Sequence, residues 1–224
     1  MPPELAISGN GPKLAISVDG PTASGKSTLA DTLAARWDMQ VLDTGLTYRA
    51  VAYVLSRTPV PPGAHLFEVL RHDPAVPGTR PGRPAVVYHG EDIIDAIWSS
   101  EVEQQLRTVS TDHAWRREIT AYHHVLVSRR ERVVAVGRDC ATTIMTNADC
   151  HVFLDAAEPV RRERRRAQYR YRPGRVAHVG APTSLDDATC AYVSRQPRGL
   201  VLDTTFLPRH ATARAVVHHL GDDR

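Results

Sequence analysis

Short apolar runs alternate with amphipathic stretches along the first sixty residues. Residues 13–18 form an apolar run that ends at the turn sequence D-G-P, which predicts a buried strand. The next stretch carries apolar residues at spacings of four and predicts one face of a helix: Leu29, Leu33 and Trp37. Residues 39–42 then predict a second strand closed by a turn at 43–45, and residues 46–56 predict a second helix.

The same alternation returns in the second half of the chain. Strands are predicted at 132–136, 151–154 and 199–202, with an arginine-rich helix after the second and a last helix at 208–220. Strands alternating with helices predict an α/β fold, in which a central parallel sheet is flanked by helices in three layers. Ligands of such sheets bind beyond the carboxyl ends of the strands. Five aspartates follow predicted strand ends there: Asp19, Asp43, Asp139, Asp155 and Asp203.

The section between these halves has a different composition. Prolines and glycines recur through residues 57–83, so long regular structure is not expected there. A hairpin with its turn at His89-Gly90 is predicted next. Residues 93–130 are predicted to be mostly helical, with a helix start near Ser99-Ser100. We therefore expect a core domain at 13–57 and 129–220, interrupted by an inserted subdomain at 58–128.

Composition and charge argue against several classes of protein. A net charge of +3 over 224 residues is too small to imply a nucleic-acid polymer as partner. No apolar run reaches the length of a membrane span, and residues 1–13 lack the pattern of a signal peptide, so they are expected to be a short disordered lead-in. Three cysteines without a C-x-x-C pair predict reduced thiols in a cytoplasmic protein and no zinc site. A monomer is expected, with a dimer left open.

The first candidate functional motif is a phosphate-binding loop, called the phosphate loop below. Residues 20–27, G-P-T-A-S-G-K-S, match the pattern G-x-x-x-x-G-K-[ST] between a predicted strand and a predicted helix. Its glycines let backbone N–H groups surround phosphate oxygens, while Lys26 reaches the β- and γ-phosphates of ATP and the Ser27 hydroxyl ligates Mg²⁺. The alternative is a tight turn with a merely exposed lysine. The residues expected to hold the nucleotide here are Gly20, Ala23, Ser24, Gly25, Lys26, Ser27 and Thr28.

The phosphate loop alone does not separate kinases from other nucleotide hydrolases. A GTPase would need an N-K-x-D string, which is absent, and a motor ATPase would need a longer chain. Seven arginines lie within residues 161–172, and they predict either a phosphate clamp or a solvated helix face. Beside a phosphate loop the clamp is favoured, which indicates a small kinase.

Several strings in order resemble the bacterial cytidylate kinase family. They are I-S-V-D-G-P-T-A-S-G-K-S-T-L-A, L-D-T-G-L-T-Y-R-A, H-G-E-D-I, G-R-D and V-F-L-D-A-A-E-P-V-R-R-E-R-R-R, followed by V-L-D-T-T near the end. The resemblance covers residues 13–205 and implies ATP-dependent phosphoryl transfer to CMP, dCMP or a modified cytidylate. It also implies an acceptor-binding role for the inserted subdomain and a short lid near 161–182.

The resemblance implies a role for each matching residue. Asp43, Thr44, Tyr48 and Arg49 would line the acceptor pocket, with Arg49 gripping the acceptor phosphate. Arg138 would hold that phosphate, Asp139 would reach the base, and Arg116 would read the cytosine ring. The lid over the transferring phosphoryl group would contain Arg161, Arg164 and Arg165, with Arg164 also counted among the donor contacts. Lys26, Arg138, Asp139, Arg161 and Arg165 form the expected catalytic set.

Simpler explanations exist for some of these residues. Tyr48 and Arg49 could form an ordinary helix face, with Asp43 as a helix cap. Asp139 could be only a turn former after its strand. Asp19 is expected to be a structural partner of the loop or an outer-sphere Mg²⁺ contact.

The chain also departs from the family pattern. Arg107 stands where a small hydroxyl residue contacts the cytosine, and Trp98 stands where an arginine is common. Asp186 and Asp187 remain as acids before the last strand, with Asp187 assigned to the acceptor, but the arginine that follows closely is missing. The lid is short. These departures suggest altered or relaxed acceptor choice. Two alternatives stay open: a kinase for another small anionic metabolite in a specialised biosynthetic pathway, and a regulatory nucleotide-binding protein without an acceptor.

Overall fold

A computed structural model describes residues 13–58, 76–80, 83–170, 179 and 182–221, with residues 76–80 and 83–85 described through their backbone. Most of the Pro/Gly tract, residues 1–12 and most of the predicted lid beyond residue 170 lie outside these ranges. The chain divides into two compact units. Of the described residues, the first contains 13–42, 124–170, 179 and 182–221, and the second contains 43–58, 76–80 and 83–123.

The first unit is built on a five-stranded sheet of β1 (Leu14–Asp19), β2 (Gln40–Asp43), β6 (Arg132–Val136), β7 (Cys150–Asp155) and β8 (Gly199–Asp203). The strand order is β2-β6-β1-β7-β8; β1 pairs in parallel with β6 and β7, and β7 with β8. This confirms the predicted α/β fold with a central parallel sheet.

The helices of the first unit are α1 (Lys26–Trp37), α5 (Glu158–Tyr169), α6 (Ser184–Val193) and α7 (Arg209–Leu220). The predicted apolar face of α1 is confirmed, because Leu29, Leu33 and Trp37 are buried in one cluster with Ile16 and Val18 of β1. Burying these side chains holds the phosphate loop between a fixed strand and a fixed helix.

The second unit contains α2 (Thr44–Leu55), a three-stranded sheet and two helices divided at Asp112. The sheet consists of β3 (Val76–Arg80), β4 (Arg83–Tyr88) and β5 (Glu91–Asp92). The helices are α3 (Ser100–Thr111) and α4 (His113–Ser128), of which residues 113–123 belong to this unit. The predicted hairpin turn is confirmed, because His89 and Gly90 both have positive φ, at 48° and 83°. The predicted helix start is confirmed by the Ser99 side chain, which accepts a hydrogen bond from the Val102 backbone N–H.

Four features differ from the sequence predictions. The turn predicted at 43–45 is the start of α2, because Asp43 caps the helix by accepting from the Gly45 N–H at 3.0 Å. Strand β3 forms inside the Pro/Gly tract, where its partner β4 supplies the hydrogen bonds. Helix α6 was not predicted. Finally, residues 43–57 belong to the second unit rather than to the core, since Leu46 and Val54 pack on Val86 of the hairpin.

Candidate active site

The phosphate loop joins β1 to α1 through backbone conformations that favour small residues. Gly20, Ala23 and Gly25 have φ values of 137°, 66° and 109°. A Cβ on Gly20 would lie 2.0 Å from the Leu154 carbonyl oxygen, so no larger residue fits there. The loop therefore lies directly against β7, with its backbone fixed.

The N-terminus of α1 is suited to an anion. Its capping residue, Gly25, provides no side-chain hydrogen bond, and no acidic residue lies in the first turn. The first N–H groups of a helix carry a partial positive charge, so this end attracts phosphate oxygens. Lys26 Nζ donates to the Pro21 carbonyl oxygen at 2.7 Å, which keeps its ammonium group at the loop. Both features are those expected of a triphosphate site.

The phosphate loop offers few protein ligands for Mg²⁺. The Ser27 side chain is exposed at the start of α1 and offers one hydroxyl oxygen. Within the described ranges, no group of three or more His, Cys, Asp or Glu side chains could hold a metal ion. Such a site suits Mg²⁺ that is bound mainly by phosphate oxygens and water.

Two arginines of α5 brace the phosphate loop. The Arg161 side chain is fully buried; its Nε donates to the Ala156 carbonyl at 3.0 Å and its Nη1 to the Thr22 carbonyl at 3.3 Å. Arg164 donates to the hydroxyl of Thr204 at 3.0 Å and to its carbonyl oxygen at 2.6 Å. The Thr204 hydroxyl in turn donates to the Ser24 carbonyl at 2.8 Å.

These contacts differ from those expected of the arginine-rich helix as a lid. The sequence placed Arg161, Arg164 and Arg165 together in a mobile lid, whereas Arg161 is a buried support of the loop. Arg165 stacks 4.2 Å from the Tyr169 ring centroid and donates to Gln168 at 3.0 Å. The arginines therefore occupy different environments, and Thr204 is a loop contact that the sequence analysis missed.

Asp19 ties the end of β1 to the segment after β6. Its carboxylate oxygens accept from the backbone N–H groups of Cys140 and Ala141 at 2.8 and 2.9 Å. Burial raises the pKa of Asp19 to about 6, the two backbone hydrogen bonds lower it, and the neighbouring charge of Asp139 raises it. Asp19 is thus a structural partner of residues 140–141, whereas the sequence predicted a partner of the phosphate loop or an outer-sphere Mg²⁺ contact.

The G-R-D string contacts the phosphate loop. Nη2 of Arg138 donates to the Thr22 hydroxyl at 3.1 Å, and its Nη1 lies 3.3 Å from Oδ2 of Asp186. Asp139 is buried beside the Asp19 carboxylate, and its own carbonyl oxygen accepts from Thr142 and Thr143. Arg138 therefore places a guanidinium group at the phosphate loop itself.

Asp186, and not Asp187, is the partner of Arg138. Asp186 is buried and also accepts from the Thr183 backbone N–H and hydroxyl, both at 2.8 Å, in a capping box at the start of α6. Asp187, the acid assigned to the acceptor from the sequence, is exposed. The T-x-x-D spacing of a capping box was the signal that could have identified Asp186.

The remaining predicted acceptor residues lie in the second unit. Thr44 is buried at the start of α2, and the ring centroids of Tyr48 and His123 are 6.3 Å apart. Nη1 of Arg116 donates to the Ser110 carbonyl at 3.3 Å, whereas the Arg107 side chain is exposed on α3.

Arg49 contacts three residues of its own unit: Ile97, Trp98 and Glu103. Its Nη1 is 2.8 Å from Oε2 of Glu103 and 3.4 Å from the carbonyl oxygen of Ile97. Its guanidinium carbon lies 4.0 Å from the centroid of the Trp98 ring. Neither Trp98 nor Glu103 was identified as an Arg49 contact from the sequence.

Comparison with known proteins gives consistent matches. A family model described as cytidylate kinase matches residues 16–178. A cytidylate kinase of Chloroflexus aggregans is 37% identical over 189 residues, which cover 80% of this chain and 81% of the relative. Another, from Solibacter usitatus, is 31% identical over 208 residues and 87% of each chain. A gluconokinase structure from Sinorhizobium meliloti covers 95% of this chain and 94% of its own with a TM-score of 0.51, and at 15% identity it shows the fold alone.

Proposed function

The chain belongs to the cytidylate kinase family, and on that premise we propose that it transfers the terminal phosphoryl group of ATP to CMP, dCMP or a modified cytidylate. One observation carries the proposal beyond the family match. Arg138 contacts Thr22 of the phosphate loop at 3.1 Å, which supports a role for this cation beside phosphates bound at that loop.

The donor phosphates would be held by the first unit. The N–H groups at the start of α1 and the ammonium group of Lys26 would bind the β- and γ-phosphates, and Ser27 would ligate Mg²⁺. When bound, Mg²⁺ neutralises charge on the phosphate oxygens. Arg161 and Arg164 would keep the loop in the binding conformation through their hydrogen bonds to its backbone and to Thr204.

The transfer needs little covalent chemistry from the protein. An oxygen of the acceptor phosphate attacks the γ-phosphorus of ATP, the bond to the β,γ-bridging oxygen breaks, and ADP leaves with a nucleoside diphosphate as second product. Negative charge spreads over the phosphoryl oxygens in the transition state. Preorganised donors from Lys26, Arg138 and Arg165 would stabilise that charge, which is the main catalytic contribution available here.

The acceptor would be bound by the residues that match the family. Arg49 and Arg138 would bind its phosphate, Tyr48 and Thr44 would line the pocket, and Asp139 and Arg116 would contact the base. Asp43 acts as a cap of α2 in this structure, so its contribution to the pocket would be indirect. Arg107 is the residue through which acceptor choice would differ from that of the relatives.

The protein would act in the cytoplasm as a monomer, and its partners would be small-molecule substrates. The described helices include none that is both long enough and apolar enough to cross a bilayer.

A coupled ADP-release assay tests the proposal. We expect turnover with CMP or dCMP, weaker turnover with UMP and AMP, and none with phosphorylated sugars. Turnover with a phosphorylated sugar and with no nucleotide would replace this function by the metabolite-kinase alternative. ATP binding without turnover of any acceptor would instead support the regulatory alternative.

A further inference from the structure

Arg49 is held on two sides by residues of its own unit. The Trp98 ring lies against the flat face of the guanidinium group, at 4.0 Å from the centroid. Glu103 and the Ile97 carbonyl both contact one edge of the group through Nη1. In the described part of the chain, these contacts involve neither Nε nor Nη2, so a second edge is left for a ligand.

Trp98 is a rigid support for the arginine. It ends a short 3₁₀ turn, Ala96–Trp98, and packs against a buried cluster that includes Leu46, Ile93 and Ile97. An arginine side chain loses considerable rotamer freedom when it is fixed, and stacking on an aromatic ring fixes its plane before a ligand arrives. The ring position thus determines the direction in which the free edge of Arg49 points.

Glu103 holds the arginine in a different way. It lies in the first turn of α3, and its side chain is 34% exposed, whereas that of Arg49 is 12% exposed. A partly exposed ion pair is weak, because water screens the charges. A phosphate group has the same charge sign and similar acceptor oxygens as a carboxylate, but it carries more charge. It can therefore bind the other edge of the guanidinium group, where the charge of Glu103 opposes its binding.

We infer that Trp98 is the positioning residue that orients Arg49, and that Glu103 is an internal counter-anion whose negative charge opposes binding of the acceptor phosphate to the other edge of the guanidinium group. The inference rests on the proposed function, since it takes Arg49 as the acceptor-phosphate ligand. The site selects a phosphate monoester over the corresponding uncharged nucleoside, and Glu103 weakens that binding by charge repulsion.

Steady-state kinetics separate the two roles. E103Q removes the opposing charge, so the KM for CMP should fall about threefold to tenfold, with kcat within about twofold of the wild type. W98L keeps an apolar side chain but no ring, so the KM should rise about tenfold; W98F should restore it to within about threefold of the wild-type KM. A KM that rises in E103Q, or that is unchanged in W98L, contradicts the inference.

A matched control exists in the same unit. The Tyr53 ring lies 3.7 Å from the guanidinium carbon of Arg57 and packs on the same cluster as Trp98. Y53L therefore removes a ring one helical turn after Arg49 on α2, together with its cation–π contact to Arg57, and leaves Trp98 and Glu103 in place. Its KM for CMP should stay at the wild-type value, which distinguishes positioning of Arg49 from general loss of packing. Thermal melts of all variants verify that each is folded.

Trp98 itself reports on the site. The chain has three tryptophans, so a W37F/W115F background leaves Trp98 as the single emitter. CMP should change its emission because the phosphate adds negative charge at the guanidinium group that lies on the ring, whereas cytidine should not; inorganic phosphate should act weakly. No change with CMP in a background that turns over CMP overturns the inference.

Different results would contradict the proposed function and the inference about Trp98 and Glu103. Absence of CMP and dCMP turnover in the wild type contradicts the proposed function, and titration of Trp98 emission with inorganic phosphate still tests the anion site in that case. Turnover that is indifferent to W98L and E103Q contradicts only the inference.

Discussion

Oδ2 of Asp186 lies 3.3 Å from Nη1 of Arg138 and also accepts two hydrogen bonds from Thr183, so one buried carboxylate oxygen joins the start of α6 to the G-R-D string. Arg138 extends this connection to Thr22 in the phosphate loop. The orientation of the arginine proposed to contact both substrates thus depends on a helix cap.

Replacing Asp186 should destabilise the protein far more than replacing its neighbour. D186A removes the capping box and the buried partner of Arg138, which should lower the free energy of unfolding by about 2 kcal/mol. D187A changes an exposed side chain and should alter that energy by less than about 0.5 kcal/mol. Urea denaturation of both variants measures the difference, and equal effects would contradict the arrangement.

Lys26 should be essential for turnover but not for folding. K26A removes the ammonium group from the phosphate loop, and we expect at least a hundredfold loss in kcat, about the effect of deleting a transition-state donor. The chain contains one other lysine, Lys13, which is exposed and paired with Glu131. K13A is the control and should keep wild-type kcat, while both variants should melt near the wild-type temperature. Full activity in K26A would remove the donor-site assignment.

The stability of the protein should depend on pH through Asp19. Burial raises the pKa of this carboxyl group to about 6 from its usual 3.8, so the folded state binds a proton more tightly than the unfolded state. The stabilisation by this group is therefore complete below pH 3.8 and is lost as the pH rises through 6. Relative to D19N, the wild type should lose about 2 kcal/mol of unfolding free energy between pH 4 and pH 7. A relative gain over that range would show that the pKa is lowered.

Arg107 should influence acceptor choice without affecting the fold. Its side chain is exposed on α3, so R107S should leave the unfolding free energy within about 0.5 kcal/mol of the wild type. If the guanidinium group faces the base, the kcat/KM for CMP should rise relative to that for UMP. Arg117 on α4 is also exposed, and R117S should leave the ratio unchanged. The same substrate profile in R107S and the wild type would exclude Arg107 from the pocket.

The sequence by itself determined the strands, the helix face and the phosphate loop, which are formed by residues adjacent in the chain. The apolar runs of β1, β6 and β7 and the face of α1 were predicted correctly, because burial leaves an apolar pattern that is visible in a short window. Strand β8 was predicted as well, although its residues are half-buried or exposed. The phosphate loop was also predicted, since its glycines, lysine and serine are adjacent in the chain.

The tertiary structure alone decided which polar residues became partners. Asp186 follows Arg138 by 48 residues, Arg161 follows Thr22 by 139, and Thr204 follows Ser24 by 180. The T-x-x-D spacing marks Asp186 as a helix cap, but it does not identify Arg138 as the partner of that carboxylate. No local pattern distinguishes a buried Arg161 from the solvated arginines beside it. Those choices follow from the packing of strands and helices that are distant in sequence, because burial requires each polar group to find a hydrogen-bond partner within reach.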